Sequence, residues 1–378
     1  MGESANPGGT RPAAPPVTVA VDAMGGENDP RAAVLGALEA ALKDGVRVLL
    51  VGDQARLQSL SEEWRRALSD NDTRAAEVLR TRMEVVPAAS VIAMDEHPAQ
   101  AVRSKKDASV VVATRLVAEG RAQAAVSAGN SGATLAAALL TVGRIRGVAR
   151  PAIGTTFPTA ALTTSTFLLD IGGNVDCKPL WLLQFGVMGS IYARLMMDVD
   201  VPRVGLLSNG EEAEKGSELV QEAHRLLSIS RLRFVGNVEG RDVFNGSCDV
   251  VVTDGFTGNV VLKTAEGVAE LLFGAISREA RGSLSGKIGG ALLKPKLRPL
   301  RDRVDYRKAG GALLLGVAGE VVIAHGRSDV EAMGNAVRAA AVAARQKVSG
   351  RIAGALAARS SESAEAGAPS QPLVQDRS

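Results

Sequence analysis

Aromatic side chains make up only 3% of the 378 residues. Stacking platforms for bases are therefore scarce, which argues against nucleic acid as a partner. The two cysteines, Cys177 and Cys248, form no CxxC or zinc-ligand spacing, so a disulfide-free cytosolic protein is expected. Three histidines, His97, His224 and His325, are too few and too scattered for a His-based metal site. A GxGxxG fingerprint is missing after the first strand, and nothing after the second supplies a ribose-binding acid, so a nicotinamide cofactor is poorly supported. Neither metal nor cofactor is expected. No apolar run approaches the roughly 20 residues of a membrane-spanning helix. Met1 to Pro16 also lacks the apolar core of a signal peptide. The expectation is a soluble protein, bound at most to a membrane surface.

What is present is alternation. Short β-branched runs at Val17–Val21, Val46–Val51, Met83–Val86, Ala122–Val126, Thr166–Leu169, Arg203–Leu207, Arg231–Val235, Asp249–Val252 and Val321–Ala324 read as strands. Between them Pro30–Lys43, Pro98–Glu119, Asn130–Val142, Pro179–Met197, Lys215–Leu227 and Gly258–Arg278 read as helices. Such a pattern implies a three-layer α/β/α fold with parallel strands, whose ligands gather at their carboxyl ends. Ala-, Gly-, Pro- and Ser-rich ends, residues 1–16 and 358–378, are expected as tails around one domain, 17–357.

Five polar, glycine-rich loops follow strands, which makes a site assembled from several loops the leading expectation. They are Asp22-Ala23-Met24-Gly25-Gly26, Ser127-Ala128-Gly129-Asn130-Ser131-Gly132-Ala133, Asp170 to Pro179, Asn209 to Gly216, and Asp254-Gly255-Phe256-Thr257-Gly258-Asn259. Ser127 to Ala133 opens an Ala- and Leu-rich helix, whose free amides and dipole suit phosphate, or it is an ordinary tight turn. Asn130, Asn174 and Asn259 lie where a side chain could cap a helix, and Pro30, Pro98 and Pro179 fit first-turn positions. Asn174, Asp176 and Lys178 put an amide, a carboxylate and an ammonium within five residues, which fits an anionic substrate or a solvated loop. Cys177 has no adjacent histidine and reads as a small buried residue rather than a nucleophile. Glu211, Glu212 and Glu214 beside Lys215 read as an acidic helix start more than as metal ligands. His325 follows a strand and is the histidine best placed for chemistry.

The net charge of +3 is uneven. Between Arg278 and Lys308 ten basic residues face three acidic ones, a net of +7 that leaves −4 elsewhere. Within that stretch Leu284, Ile288, Leu292 and Leu293 recur at near-helical spacing, with Lys287, Lys294 and Lys296 at other positions. A basic amphipathic segment suits an anionic membrane surface or an acidic protein, and equally a helix packed on the core or a second subunit. Lys294-Pro295-Lys296 is expected to break it into a helical hairpin over residues 278–308.

Taken in order, the five loops resemble the phosphate acyltransferase (PlsX) family of bacterial phospholipid synthesis. Met94-Asp95-Glu96-His97-Pro98, Lys105-Lys106, Val187 to Arg194, Val235 to Asp242, Asp254 to Thr264, Gly310-Gly311-Ala312 and Ala324-His325-Gly326 carry the likeness with them, from about Val17 to Val348. Glu27-Asn28-Asp29 departs from the family's usual Asp-His-Ala. The resemblance implies a Rossmann-like, mostly parallel sheet related to the phosphotransacetylase and isocitrate dehydrogenase-like folds. It implies transfer of a fatty acyl group from acyl carrier protein to inorganic phosphate. A homodimer is implied, cytoplasmic and peripherally bound to the inner face of the cell membrane, feeding a glycerol-3-phosphate acyltransferase. Catalytic roles then fall to Asn174, Lys178, Lys215, Asp254, Asn259 and His325. Substrate-binding roles fall to Asp22, Gly25, Gly26, Ser127, Gly129, Asn130, Ser131, Gly132, Gly258 and Lys263. Two other readings stay open: a phosphotransacetylase-like enzyme using acyl-CoA, and a noncatalytic membrane-associated adaptor.

Overall fold

A computed structural model of the chain describes residues 16–27, 29–69, 73–304 and 310–365. The described strands are β1 (Thr18–Asp22), β2 (Arg47–Gly52), β3 (Met83–Pro87), β4 (Ala124–Ser127), β5 (Ala152–Pro158), β6 (Ser165–Leu169), β7 (Arg203–Leu207), β8 (Arg233–Val238), β9 (Val250–Val252), β10 (Ala312–Leu315) and β11 (Glu320–Ile323). They form one sheet in the order β3-β2-β1-β4-β11-β10-β5-β6-β9-β7-β8. The helices are α1 (Arg31–Asp44), α2 (Gln54–Ser69), α3 (Thr73–Arg82), α4 (Pro98–Ser104), α5 (Ser109–Ala118), α6 (Ser131–Thr141), α7 (Pro179–Met196), α8 (Glu218–Ser228), α9 (Asp242–Asn245), α10 (Gly255–Gly282), α11 (Leu284–Val304), α12 (Val330–Gln346) and α13 (Val348–Glu365).

Side chains alternate across the strands, so both faces are apolar and both need cover. Val19, Val21, Leu50, Val126, Phe167 and Val250 share one core with α1, α7, α8, α12 and α13. Ala20, Leu49, Ala125, Leu168 and Val251 face the opposite layer, which holds α5, α6 and α10. This is the expected three-layer α/β/α arrangement.

Two strands escaped the sequence reading, and they change its meaning. β10 pairs antiparallel with both β11 and β5, and β5 pairs antiparallel with β6, while every other pairing is parallel. Three successive reversals leave β6, β9, β7 and β8 running against β3, β2, β1, β4 and β11. The carboxyl ends of the two groups therefore lie on opposite edges of the sheet, not on one.

Other expectations shift as well. The helix expected over Pro98–Glu119 is two, α4 and α5, parted where the Lys105 side chain turns to Glu96 Oε1 (2.7 Å) and the Val91 carbonyl (3.0 Å). α13 continues to Glu365, past the expected boundary at 357, while residues 1–15 and 366–378 lie outside the described residues. The hairpin turns at Ser283 rather than at Pro295, so its arms run from Gly255 to Gly282 and from Leu284 to Val304. Small residues allow this: a Cβ on Gly290 would lie 2.8 Å from the Ala280 Cβ, and one on Gly286 would lie 2.9 Å from the Glu279 carbonyl oxygen. Arg307 and Lys308 of the basic stretch lie outside the described residues, as do the side chains of Arg301 and Arg303.

Glu320, at the start of β11, is only 5% exposed and accepts from the Ser349 amide (2.9 Å) and hydroxyl (2.8 Å). Burial pushes its carboxyl above the ordinary 4.5, and the Ser349 donors only partly offset this. The folded chain then holds a proton at Glu320 that the unfolded chain has lost, so this group's contribution to stability falls as pH rises from about 4.5 through the higher folded value. Glu320→Gln keeps an acceptor for Ser349 and is expected to stabilise the protein at pH 8 relative to wild type, with the two converging below pH ~4.5. Urea unfolding at both pH values checks this; a constant difference would refute it.

Candidate active site

The first loop cluster sits at the carboxyl edge of β1, β4 and β11. Asp22 ends β1 and is 1% exposed. Its Oδ1 accepts the Met24 and Gly25 amides (3.1 Å each) and its Oδ2 accepts the Ser127 hydroxyl (2.7 Å). Ser127 Oγ in turn accepts the Gly129 amide at 3.1 Å. One buried carboxylate thus shapes the loops after two neighbouring strands, although burial pushes its carboxyl up while the Ser127, Met24 and Gly25 donors pull it down. The loops cross where only glycine fits: a Cβ on Gly25 would stand 2.5 Å from Asp22 Oδ2 and 2.9 Å from Gly129 Cα. Gly26 follows, and next to it the Glu27 amide donates to the Gly326 carbonyl (2.8 Å).

Asn130 caps α6, as expected, its Oδ1 accepting the Ala133 amide at 3.1 Å. Its Nδ2 donates to the carbonyls of Met94 (2.9 Å) and Glu96 (3.5 Å), so the side chain is spent on the loop above it. That corrects its expected role as a side-chain phosphate ligand. The amides of Ser131 and Gly132 have no hydrogen-bond partner among the described residues, and the positive end of the α6 dipole lies there. Met94 to Pro98 covers this helix start, with Pro98 Cγ 2.8 Å from where a Gly132 Cβ would be. The cover is held by Glu96, whose Oε1 accepts both Lys105 Nζ and the Ala93 amide at 2.7 Å and whose carboxyl is thereby held below the usual range.

His325 closes the cluster from β11. Its Nδ1 lies 3.1 Å from the Arg327 amide, which donates to it, so the ring is neutral there and carries its proton on Nε2. His325 is thus arranged as a donor at Nε2. Arg327 Nε pairs with Glu27 Oε2 at 3.0 Å, and Met94 Cε lies 3.2 Å from where a Gly326 Cβ would be. Four segments separated by up to 300 residues therefore meet at one edge. Sequence reading gave no site role to Glu27, Glu96, Lys105 or Arg327; the Asp-Glu-His-Pro run before a helix was the available signal.

The second cluster lies on the opposite edge and is braced internally. Asp170, fully buried, accepts the amides of Ile153 (3.1 Å), Gly172 (3.1 Å) and Gly173 (2.8 Å) at Oδ1 and the Asn174 amide group (2.8 Å) at Oδ2. Burial pushes its carboxyl up against these donors. Asn174 Nδ2 gives its other hydrogen to the Pro151 carbonyl (2.8 Å), which leaves none for an oxyanion. Asp254 caps α10 through the Thr257 amide (2.8 Å) and hydroxyl (2.7 Å), so both oxygens are engaged. Asn259 is exposed one turn into α10, and Asn174 precedes no helix directly, so neither caps one. Gly258 serves packing: a Cβ there would overlap the Asp170 carbonyl oxygen. Lys178 is exposed, 6.0 Å from the Trp181 ring centroid; Lys215 is exposed in its loop; Lys263 pairs with Glu266 at 3.0 Å.

Asn174, Lys178, Lys215, Asp254 and Asn259 thus all follow strands whose carboxyl ends lie on the edge away from Asn130 and His325. The cause is the reversal at β10 and β5. Burial and the Asp170 carboxylate push the Cys177 thiol up to about 12, so it is a thiol rather than a nucleophilic thiolate at neutral pH, in line with its reading as structural.

Residues 17–351 match the model of a family described as "Fatty acid synthesis protein". A phosphate acyltransferase from Nostoc punctiforme is 47% identical over 337 residues, 89% of this chain and 95% of its own. A phosphate acyltransferase from Heliobacterium modesticaldum is 49% identical over 322 residues, 85% of this chain and 92% of its own. A solved phosphotransacetylase from Streptococcus pyogenes has a TM-score of 0.59 at 16% identity, over 88% of this chain and 94% of that one. The EutD phosphotransacetylase from Staphylococcus aureus has a TM-score of 0.56 at 19% identity, over 87% and 94%. At such identities the structural likeness speaks for the fold, which is the expected one, and not for the chemistry.

Proposed function

The chain belongs to this fatty acid synthesis protein family, whose curated relatives are named phosphate acyltransferases, and from that premise we propose that it moves a fatty acyl group from acyl carrier protein to inorganic phosphate, making acyl phosphate for phospholipid synthesis. The observation that carries the reading is the Ser131 and Gly132 amides at the α6 start, without a hydrogen-bond partner among the described residues, beneath a loop that Lys105 ties down through Glu96 and on the same edge as the His325 and Arg327 segment. Helix-start amides and nearby cations are what a phosphate needs.

A phosphate oxygen attacks the thioester carbonyl carbon from this cradle. Negative charge gathers on the carbonyl oxygen, where His325 Nε2–H donates. The carbon–sulfur bond then breaks, and the thiolate leaves with its electron pair and takes a proton from water. A thiolate needs no strong general acid, which suits a site whose histidine is a donor.

Leu284, Ile288 and Leu292 form an i, i+4, i+8 stripe on α11 at 77%, 59% and 75% exposure. Among the described residues no helix is long and apolar enough to cross a membrane. The stripe, with Lys287, Lys294 and Lys296 near it, rests on the anionic inner face of the cell membrane, where a glycerol-3-phosphate acyltransferase takes the product. Exposed Phe256, Leu271 and Leu272 on α10 supply apolar surface for a homodimer. Leu284→Glu with Leu292→Glu, both outside the cleft described below, is expected to abolish flotation with anionic vesicles while leaving acyl phosphate formation in detergent intact; undiminished flotation would remove the stripe from the membrane contact.

The reading is tested by incubating the full chain with palmitoyl carrier protein and phosphate, and trapping the product with hydroxylamine. Hydroxamate that appears only with phosphate is the expected result. Equal rates with palmitoyl-CoA would favour a phosphotransacetylase-like enzyme instead, to which the fold is also suited. No hydroxamate with either donor would leave the adaptor reading.

A further inference from the structure

A cleft of about 1240 Å³ lies between the α10–α11 hairpin and the chain entering α12. Phe273, Ile276, Leu293 and Leu297 give it an apolar lining. Five lysines and arginines also line it against two acids, Glu279 and Asp329, so its charge favours an anionic ligand. Among the cations is Arg327, which the loop cluster at β11 holds through Glu27. Phe273 lies about 27 Å along α10 from Gly255, so the cleft adjoins the first loop cluster and not the second. From Gly286 to Arg298 the α11 wall is about 18 Å long. Long, with apolar side chains and five cations in its lining, the cleft exceeds the ~300–1,000 Å³ of ordinary small-molecule pockets.

We infer that this cleft holds the long acyl chain of the substrate and product, with their reacting end toward Arg327, and that the hairpin sets chain-length preference. The inference rests on the acyl-transfer reading above. The occupant is a single extended hydrocarbon chain bearing an anionic group, because the lining supplies apolar side chains along the hairpin together with cations, Arg327 among them. The carbonyl then lies near the α6 start while the tail runs along the hairpin.

Gly289 lines the cleft, and a Cβ on it meets nothing within 4 Å, so a large side chain can be placed there without displacing a neighbour. Gly289→Trp also improves helix propensity, which protects the fold. In the full-length protein the ratio of kcat/KM for palmitoyl over octanoyl carrier protein should fall about tenfold or more. Binding of parinarate, a fluorescent long-chain carboxylate, should weaken to a similar degree. An unchanged ratio in a variant that still turns over both thioesters overturns the inference and leaves the acyl-transfer reading standing. Tight parinarate binding that Gly289→Trp abolishes, in a wild-type protein that forms no acyl phosphate, would instead sink the reading and keep the cleft. Loss of a dimer on sedimentation of the variant, with parinarate binding unaltered, would assign the cleft to a second copy of the chain and overturn the inference.

Discussion

Gly258→Val is expected to destabilise the protein by about 4 kcal/mol or more, the range reached when a substitution has no room to settle. Gly258 lies in the first turn of α10, where even a Cβ would overlap the Asp170 carbonyl oxygen, and Gly255 lies against the Asn174 backbone, whose carbonyl oxygen would be 2.7 Å from a Cβ placed there. Neither obstacle can swing aside, because Asp170 is pinned by three amides and the Asn174 side chain. Accommodation requires α10 to lift off the sheet, and the hairpin with it. Thermal denaturation followed by circular dichroism should show a midpoint lower by about 8 °C or more. A midpoint within a degree or two of wild type would mean that the second cluster yields easily.

Asp22→Ala should reduce acyl phosphate formation by about 10²–10³-fold, the loss seen when an oxyanion donor is removed. The side chain itself touches no substrate in this account. It positions Met24, Gly25 and, through Ser127, Gly129. Alanine leaves three donors short of an acceptor in a buried place, at a cost of about 1–3 kcal/mol each. Asp22→Asn keeps one carbonyl oxygen and the shape, and should lose roughly tenfold in kcat with little change in KM. Equal, small effects of both substitutions would reduce Asp22 to a packing residue.

Nine strands, the layer order and the capping by Asn130 were legible because each rests on local pattern: β-branched runs, alternation, and an Asn before an apolar helix. The grouping of the site was not legible. β5, with the sequence AIGTTFP, is interrupted by glycine and proline, and β10, ALLL, is a four-residue apolar run after two glycines that carries no period of its own. Without them every strand reads as parallel and every loop as sharing one edge. The partners of Asn174 and Asn130 were hidden for a related reason. Pro151 is 23 residues from Asn174, and Met94 is 36 from Asn130, and no local pattern announces which carbonyl will occupy an amide.

The place of β11 in the sheet has a consequence for how the chain is made. β11 pairs with β4 and β10, so the middle of the sheet is filled by residues synthesised after most of the protein. At translation speeds of roughly 5–20 residues per second, β4 waits on the order of 10–40 s for the strand that completes it. Throughout that interval the nascent protein carries an open strand edge able to pair with another copy. Newly made chains should thus demand chaperone attention more than finished ones, and a premature stop before Ala312 would leave two half-sheets with their inner edges bare.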